Sequence, residues 1–494
     1  MGLTWDLIRW ALLVIVIINE VAALVTVFRE KRDIAATWAW LMVLMIPVIG
    51  FIIYAFLGRK LPQKRLERIS SPTAQHLYDA FEEQRTAFVE MPRPEDSLVQ
   101  TYRRTIMLFQ SIDESFLSED NQVEIFTTGI TFFNRLLTDI EQAKQSIHIE
   151  FYTIYNDQIG NRLRTLLEQK AAAGVEVRVL YDSWGSMGVK KSFYDNLRKN
   201  GGFASPFLMT HSNFLDFRLN YRDHRKIVVI DGQIGYVGGF NVGDQYLGRL
   251  KKFGPWRDTH LRIQGGGVYS LQQCFLRDWN ASVKPAERLT HFKDYFPSAA
   301  LNKGKTAMQI VSSGPDAPLQ AIKLGYLRLI NAAQDHIWIQ TPYLIPDDSV
   351  IDALRIAAHS GVDVRIMIPS MPDHAFVYRA TQYYARALAN EGVTIYSYQL
   401  GFLHAKTMTI DGKMASVGSA NLDFRSFQLN FEINAFLYDR QLVDELEQIF
   451  INDVRDSRVI TPEMFLMPNH WAYVLSRPSR GCCRRFYREV CLNH

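Results

Sequence analysis

One eight-residue pattern, HxKxxxxD, stands twice in the chain, at His224, Lys226 and Asp231 and again at His404, Lys406 and Asp411. Each copy is followed at the same offset by a glycine turn ending in asparagine, Gly238-Gly239-Phe240-Asn241 and Gly418-Ser419-Ala420-Asn421. A single copy arises by chance in roughly a few per cent of chains this long, whereas two copies with matching tails are rarer by orders of magnitude. Duplicated chemistry of this kind implies one active site built by two halves.

The residues around each motif fix its local structure. In KIVVIDG and KTMTIDG a short β-rich run ends at Asp-Gly, a turn signal, and a second apolar run follows, which predicts a hairpin. Side chains two apart on a strand share a face, so each His and Lys converge on one group. Histidine beside a fixed ammonium suits phosphoryl chemistry, in which imidazole attacks phosphorus while Lys and Asn or Ser donors hold the charged oxygens. A metal site is disfavoured, because Lys is a poor ligand and no Cys, His or carboxylate stands nearby at zinc spacing. The expected set holds no metal and no cofactor.

On these motifs the chain resembles the phospholipase D superfamily, whose signature is HxKxxxxDxxxxxxGSxN, and within it the bacterial cardiolipin synthases. The second copy matches through His404, Lys406, Asp411, Gly418, Ser419 and Asn421; the first departs at Gly239, where the signature has Ser. The resemblance extends through WAWLMVLMIPVIGFIIYAFLGR, FGPWRDTHLRI and the residues around both motifs, up to about residue 470. It implies a catalytic set of His224, Lys226, Asp231, His404, Lys406 and Asp411, with phosphate held by Asn241, Ser419 and Asn421. On the superfamily's pattern His224 attacks and His404 acts as acid and then base. Glu432, 28 residues after His404, matches the orienting acid, and Asp258 is its counterpart in the first half. Asp231 and Asp411 are also expected to fix the hairpin turns.

Strand, helix and strand recur in both halves: SIHIEFYTI, NRLRTLLEQKAAAG and VEVRVLYD in the first, HIWIQTPYLI, VIDALRIAAHSG and VDVRIMIP in the second. The expected fold is α/β: two tandem phospholipase D-like domains, each a mixed sheet flanked by helices, related by pseudo-twofold symmetry. A transmembrane helical hairpin precedes them. The expected divisions are 1–60 for the hairpin, 61–115 for a charged helical linker, 116–298 and 299–470 for the two domains, and 471–494 for a tail.

The hairpin is read from two apolar stretches. Ile34 to Leu57 is uncharged for 24 residues, enough at about 1.5 Å per residue to cross a ~30 Å hydrocarbon layer. Trp10 to Phe28 carries Asn19 and Glu20 at its middle, so Glu20 pairs with the second helix, is protonated or lies in the interface. Arg29, Lys31 and Arg32 fill the loop, against Arg9, Arg59, Lys60, Lys64, Arg65 and Arg68 on the flanks, a ratio of 3 to 6 that places both flanks in the cytoplasm. The cluster from Arg59 to Arg68 suits anionic headgroups.

A net charge of +4 argues against a nucleic-acid binder with a broad basic face. Four cysteines, three of them at 482, 483 and 491, give no spaced disulfide framework and fit a reducing compartment. The apolar residues Phe203, Phe207, Leu208, Phe214 and Leu215 are either core or an acyl-chain surface. The resemblance implies a multi-pass cell-membrane enzyme with phosphatidylglycerol and cardiolipin as its lipids and the bilayer as its partner. It would join two phosphatidylglycerols and release glycerol through a phosphohistidine. Hydrolysis of lipid or nucleic-acid phosphodiesters is the alternative, since the same histidines serve water.

Overall fold

A computed structural model describes residues 2–29, 34–54 except 48, 97–208 and 220–461, with isolated positions besides. The basic cluster at 59–68, most of the expected linker, Phe214, Leu215 and the cysteine-containing tail lie outside the described residues.

The first half contributes β1 (Leu117–Thr128), β2 (Ser146–Phe151), β3 (Glu176–Tyr181), β4 (Phe203–Pro206), β5 (Arg222–Asp223), β6 (Lys226–Ile230), β7 (Ile234–Gly238) and β8 (Trp256–Gln264). The second contributes β9 (Thr306–Ser313), β10 (His336–Gln340), β11 (Leu344–Ile345), β12 (Asp363–Pro369), β13 (Thr394–Tyr398), β14 (Phe402–Leu403), β15 (Thr407–Ile410), β16 (Met414–Gly418), β17 (Leu422–Asp423), β18 (Asn430–Tyr438) and β19 (Ser457–Ile460). In the first half the sheet runs β4-β3-β2-β6-β7-β8-β1; in the second it runs β13-β12-β10-β15-β16-β18-β9, with β19 at the edge. Both are mixed, with three parallel strands joined to an antiparallel set. The long strand β1 pairs β8 on one side and β9 on the other, so the halves share a backbone ladder.

Both motif hairpins form as expected. β6 pairs β7 and β15 pairs β16, antiparallel, through turns in which Asp231 and Gly232 (φ 52° and 64°) and Asp411 and Gly412 (φ 54° and 61°) are left-handed. Two successive positive φ values define the type I′ turn that matches strand twist, which is why Asp-Gly stands there. β2 and β6 are buried on both faces, as a sheet covered by helices requires. The helices Gly129–Gln142 and Gln158–Ala172 cover one half and Ala321–Ala332 and Asp348–His359 the other, each burying an apolar stripe.

The N-terminal segments differ from expectation in one respect. The helix Gly2–Arg29 is continuous, and its Arg9–Thr26 portion is long and apolar enough to cross a membrane. The second apolar stretch is broken: helix Ile34–Leu44 ends before Pro47, and a short helix resumes at Ile49–Ile53. Pro47 lacks an amide hydrogen and its ring collides with the preceding turn, so an uncharged run of spanning length does not make one unbroken helix. Asn19, one of the two polar residues inside the first stretch, donates its side-chain amide to the Leu44 carbonyl at 2.9 Å and ties the segments together.

Candidate active site

His224 precedes β6 and His404 precedes β15, so each imidazole emerges where its motif strand begins. Short parallel pairings then carry each histidine into the opposite half. β5 pairs β18, with the His224 amide donating to the Phe431 carbonyl, and β14 pairs β8, with the His404 amide donating to the Arg257 carbonyl. This exchange delivers the orienting acids. His224 Nδ1 meets Glu432 at 2.9 and 3.0 Å, and His404 Nδ1 meets Asp258 at 2.6 Å. Each of the two acids named by sequence reasoning lies against the histidine of the other half.

A carboxylate on Nδ1 fixes the proton there and leaves Nε2 with a free lone pair. Lys406 Nζ also lies 3.0 Å from His404 Nδ1. An Nδ1–H already given to Asp258 cannot accept from the ammonium, so Lys406 is assigned to the His404 carbonyl, which it also contacts. Lys226 does the same to the His224 carbonyl at 2.5 Å. The four groups feel one another across the halves, since Lys406 bears on His224 and Lys226 on His404.

All four are buried, and burial dominates their protonation. It pulls His224 down to about 4, with Glu432 opposing, and lowers His404 with help from Lys406. Burial likewise brings Lys226 to about 7 and Lys406 to about 8. Burial alone would raise Glu432 and Asp258, but the facing histidine and lysine outweigh it and hold both below the ordinary carboxylate range. The empty site therefore holds neutral imidazoles, ionised carboxylates and ammoniums close to losing their protons. These charges balance, so an anionic phosphodiester would add a negative charge that raises the pKa of the lysines and imidazoles beside it.

The remaining predicted residues divide by position. Asp231 and Asp411, grouped with the catalytic set from the motif, lie at the far end of each hairpin strand. Asp231 accepts from the amides of Lys144, Gln145 and Ser146 at 2.7 to 2.9 Å, and Asp411 from those of Gln334, Asp335 and His336 at 2.9 to 3.0 Å. Each therefore fastens its turn to the start of the adjoining strand, seven residues along the chain from its histidine. Ser419, expected on phosphate, is already engaged: its hydroxyl donates to Glu432 at 2.6 Å and accepts from the Ile433 amide at 2.9 Å. Asn241 accepts from the Thr153 amide and donates to the Tyr246 hydroxyl. Asn421 is buried; its side-chain carbonyl is unpartnered and its amide donates to Asp423 at 3.4 Å, which leaves one amide hydrogen for a phosphate oxygen.

The Gly239 departure has a steric cause. A Cβ on Gly239 would lie 1.9 Å from Asp258 Oδ1, whereas Ser419 fits against Glu432 and hydrogen-bonds it. Gly with Asp in one half and Ser with Glu in the other are thus matched pairs.

Sequence reasoning missed several neighbours. Tyr152 packs edge-on to His224 and Trp256 tilts against His404, both at 5.1 Å between ring centres. Two buried arginines hold the backbone of the orienting acids: Arg225 reaches the Glu432 carbonyl and pairs with Asp278, while Arg257 reaches the Asp258 carbonyl and pairs with Asp453. Arg225 was visible inside the first motif as HRK; its partners are distant in sequence. Of the apolar residues noted earlier, Phe207 is core against Phe431, and Phe203 is partly exposed beneath the Arg178 guanidinium.

Two histidines, each held by a carboxylate from the other half and flanked by an ammonium, define a phosphoryl-transfer centre of the phospholipase D kind. The family comparisons agree. Residues 136–252 and 326–454 match the cardiolipin synthase, PLD-like domain, and residues 21–59 match the Phospholipase_D-nuclease N-terminal family. The chain is 48% identical over 471 residues to a cardiolipin synthase of Listeria monocytogenes serotype 4b, covering 94% of this chain and 96% of that one. It is 45% identical over 471 residues to the major cardiolipin synthase ClsA of Bacillus subtilis, with the same coverage. Its fold is similar to the crystal structure of phosphatidylserine synthase from Haemophilus influenzae, with TM-score 0.57 and 14% identity over 79% of this chain and 98% of that one. The chain belongs to the phospholipase D-like cardiolipin synthase family.

Proposed function

We propose that the chain is a membrane-associated phosphatidyltransferase that joins two phosphatidylglycerol molecules into cardiolipin and releases glycerol. The observation that carries the mechanism is the reciprocal exchange of Glu432 and Asp258 between the halves, which engages Nδ1 of each histidine and leaves its Nε2 for chemistry. In the first step His224 Nε2 attacks the donor phosphorus, the bond to the glycerol oxygen breaks, and His404, protonated as the anionic phosphodiester binds, gives that oxygen its proton. In the second, the terminal hydroxyl of another phosphatidylglycerol attacks, His404 takes its proton, and the phosphorus–nitrogen bond breaks. Lys226 and Lys406 balance charge on the equatorial oxygens, a role a magnesium ion fills in other phosphoryl transfers. Asn241 and Asn421 are proposed to help hold the phosphate, and the reaction is proposed to need no cofactor.

The mirrored order of the two sheets supports a pseudo-twofold relation between domains at 116–298 and 299–470. The N-terminal segments form the proposed hairpin, with the lysine and arginine excess of its flanks placing residues beyond Arg59 in the cytoplasm. Phospholipid hydrolysis is the second reading, because the same phosphohistidine accepts water. Incubating detergent-purified protein with labelled phosphatidylglycerol alone separates them. Cardiolipin and free glycerol are expected; phosphatidic acid as the main product would show a hydrolase.

A further inference from the structure

The parallel strands of both sheets end on the catalytic side. Tyr152, just after β2, packs on His224, and Tyr343, just after β10, hydrogen-bonds Asp373, whose charge bears on Lys406. The segments that follow the neighbouring parallel strands β3, β12 and β13 therefore flank the mouth of the site. Each carries a large apolar side chain that packing leaves in the open. Trp184 (51% exposed) and Met187 (66%) follow β3, Phe376 (85%) follows β12, and Leu400 (55%) follows β13.

The helix Ala375–Ala389 extends this pattern. Thr381, Ala385 and Leu388 face the protein, while Phe376 and Tyr383, seven residues apart and so on one face, are 85% and 70% exposed. Cations accompany these rings. The Arg222 guanidinium lies 5.4 Å from the Trp184 ring centre, and Lys190 and Lys191 are exposed in the same loop. Aromatic bodies beside lysine and arginine, arranged at one end of the molecule, fit an anionic bilayer interface, where rings enter the headgroup layer and cations meet lipid phosphates.

We propose that this rim docks the catalytic domains mouth-down on an anionic bilayer, as a second attachment separate from the N-terminal segments. The inference rests on the phosphatidyltransferase reading, because a lipid-transferring site needs its mouth against the layer that supplies both lipids. The full chain, with its native cysteines replaced, would be reconstituted in phosphatidylglycerol nanodiscs and spin-labelled singly at Trp184→Cys, Phe376→Cys and Lys144→Cys. Lys144, at the opposite ends of the strands, serves as the aqueous reference.

Collisions with oxygen are expected to dominate at 184 and 376, and collisions with a water-soluble nickel complex at 144. Nickel-dominated collisions at 184 and 376 would overturn the proposal. In a second arm, the Trp184→Ser/Phe376→Ser double variant is expected to lower the ratio of turnover on vesicles to turnover on a short-chain monomeric phosphatidylglycerol about tenfold; an unchanged ratio would overturn it as well. Because the labels report position without reference to catalysis, absence of cardiolipin formation by the parent protein would remove the functional reading and still leave docking decided by the nitroxides.

Discussion

Gly239 and Ser419 hold equivalent places, yet they are not interchangeable, because Asp258 fills the space that a side chain at 239 would need. Gly239→Ser, which restores the family signature, is therefore expected to displace Asp258, leave His404 without its orienting acid and cut turnover by about 10²- to 10⁴-fold. Steady-state rates for Gly239→Ser beside Asp258→Ala test this; a fully active serine variant would sink it. Protonation gives a second expectation at this scale. His224 must be neutral to attack, and its value of about 4 sets the acid limb; His404 must be protonated, and burial and Lys406 lower its pKa, so it sets the alkaline limb ahead of Lys226 and Lys406 at about 7 and 8. The kcat/KM profile of the free enzyme should then rise through pH 4 and fall before the ordinary histidine value of 6.5, while kcat, measured with phosphate bound, should hold to higher pH. An alkaline limb of kcat/KM above 8 would show that His404 is not the acid of the first step.

Strands show what local sequence signals carry and what they do not. The motif hairpins and the strand-helix-strand runs were legible because Asp-Gly turns and alternating apolar patterns are properties of neighbouring residues. The crossing of Glu432 to His224, and the capture of Ser419 by Glu432, join positions whose proximity only the folded sheets create. Pro47 was visible inside its apolar run, and counting uncharged residues gave it too little weight. Motif membership puts Asp231 and Asp411 in the expected catalytic set and the Asp-Gly signal makes them turn anchors, and their hydrogen bonds fasten the turns. Asp231→Ala and Asp411→Ala should each destabilise the protein by about 2 to 4 kcal/mol, since three backbone amides lose a charged acceptor, while turnover per folded molecule falls far less than in His224→Ala. Urea unfolding alongside active-site titration measures both.

β2 and β10 supply another test. Gln340 hydrogen-bonds Arg257 and Asp453, whereas Glu150, at the same distance from the start of its strand, is wholly buried with both oxygens unpartnered. Burial, then Asp223 and Asp278, pushes its pKa well above the usual carboxylate value. A raised folded pKa means stability is full below the unfolded value near 4.5 and is lost as pH rises through the folded one. Glu150→Gln should remove that loss, so its melting temperature should gain on the parent progressively from pH 5 to 9; a gap that stays constant with pH would show that Glu150 does not titrate there.

Across the whole molecule the two halves are bound by the shared β1 ladder and by the exchanged strands at the site. The membrane arrangement belongs to this scale too. With the cytoplasmic orientation, an impermeant thiol reagent applied to sealed cells should label a cysteine at position 31 and spare one at 64, in a background lacking the native cysteines. The reverse pattern would invert the topology.

The exchanged acids also order events during synthesis. Asp258 is made well before His404, but His224 waits for Glu432, 432 − 224 = 208 residues downstream. A nascent chain can fold its first half beside the membrane and still hold the proposed nucleophile, His224, undirected. The ribosome thus releases the lipid-modifying power of this chain only after Glu432 has been made, and a fragment truncated before Glu432 carries His224 without the means to aim it.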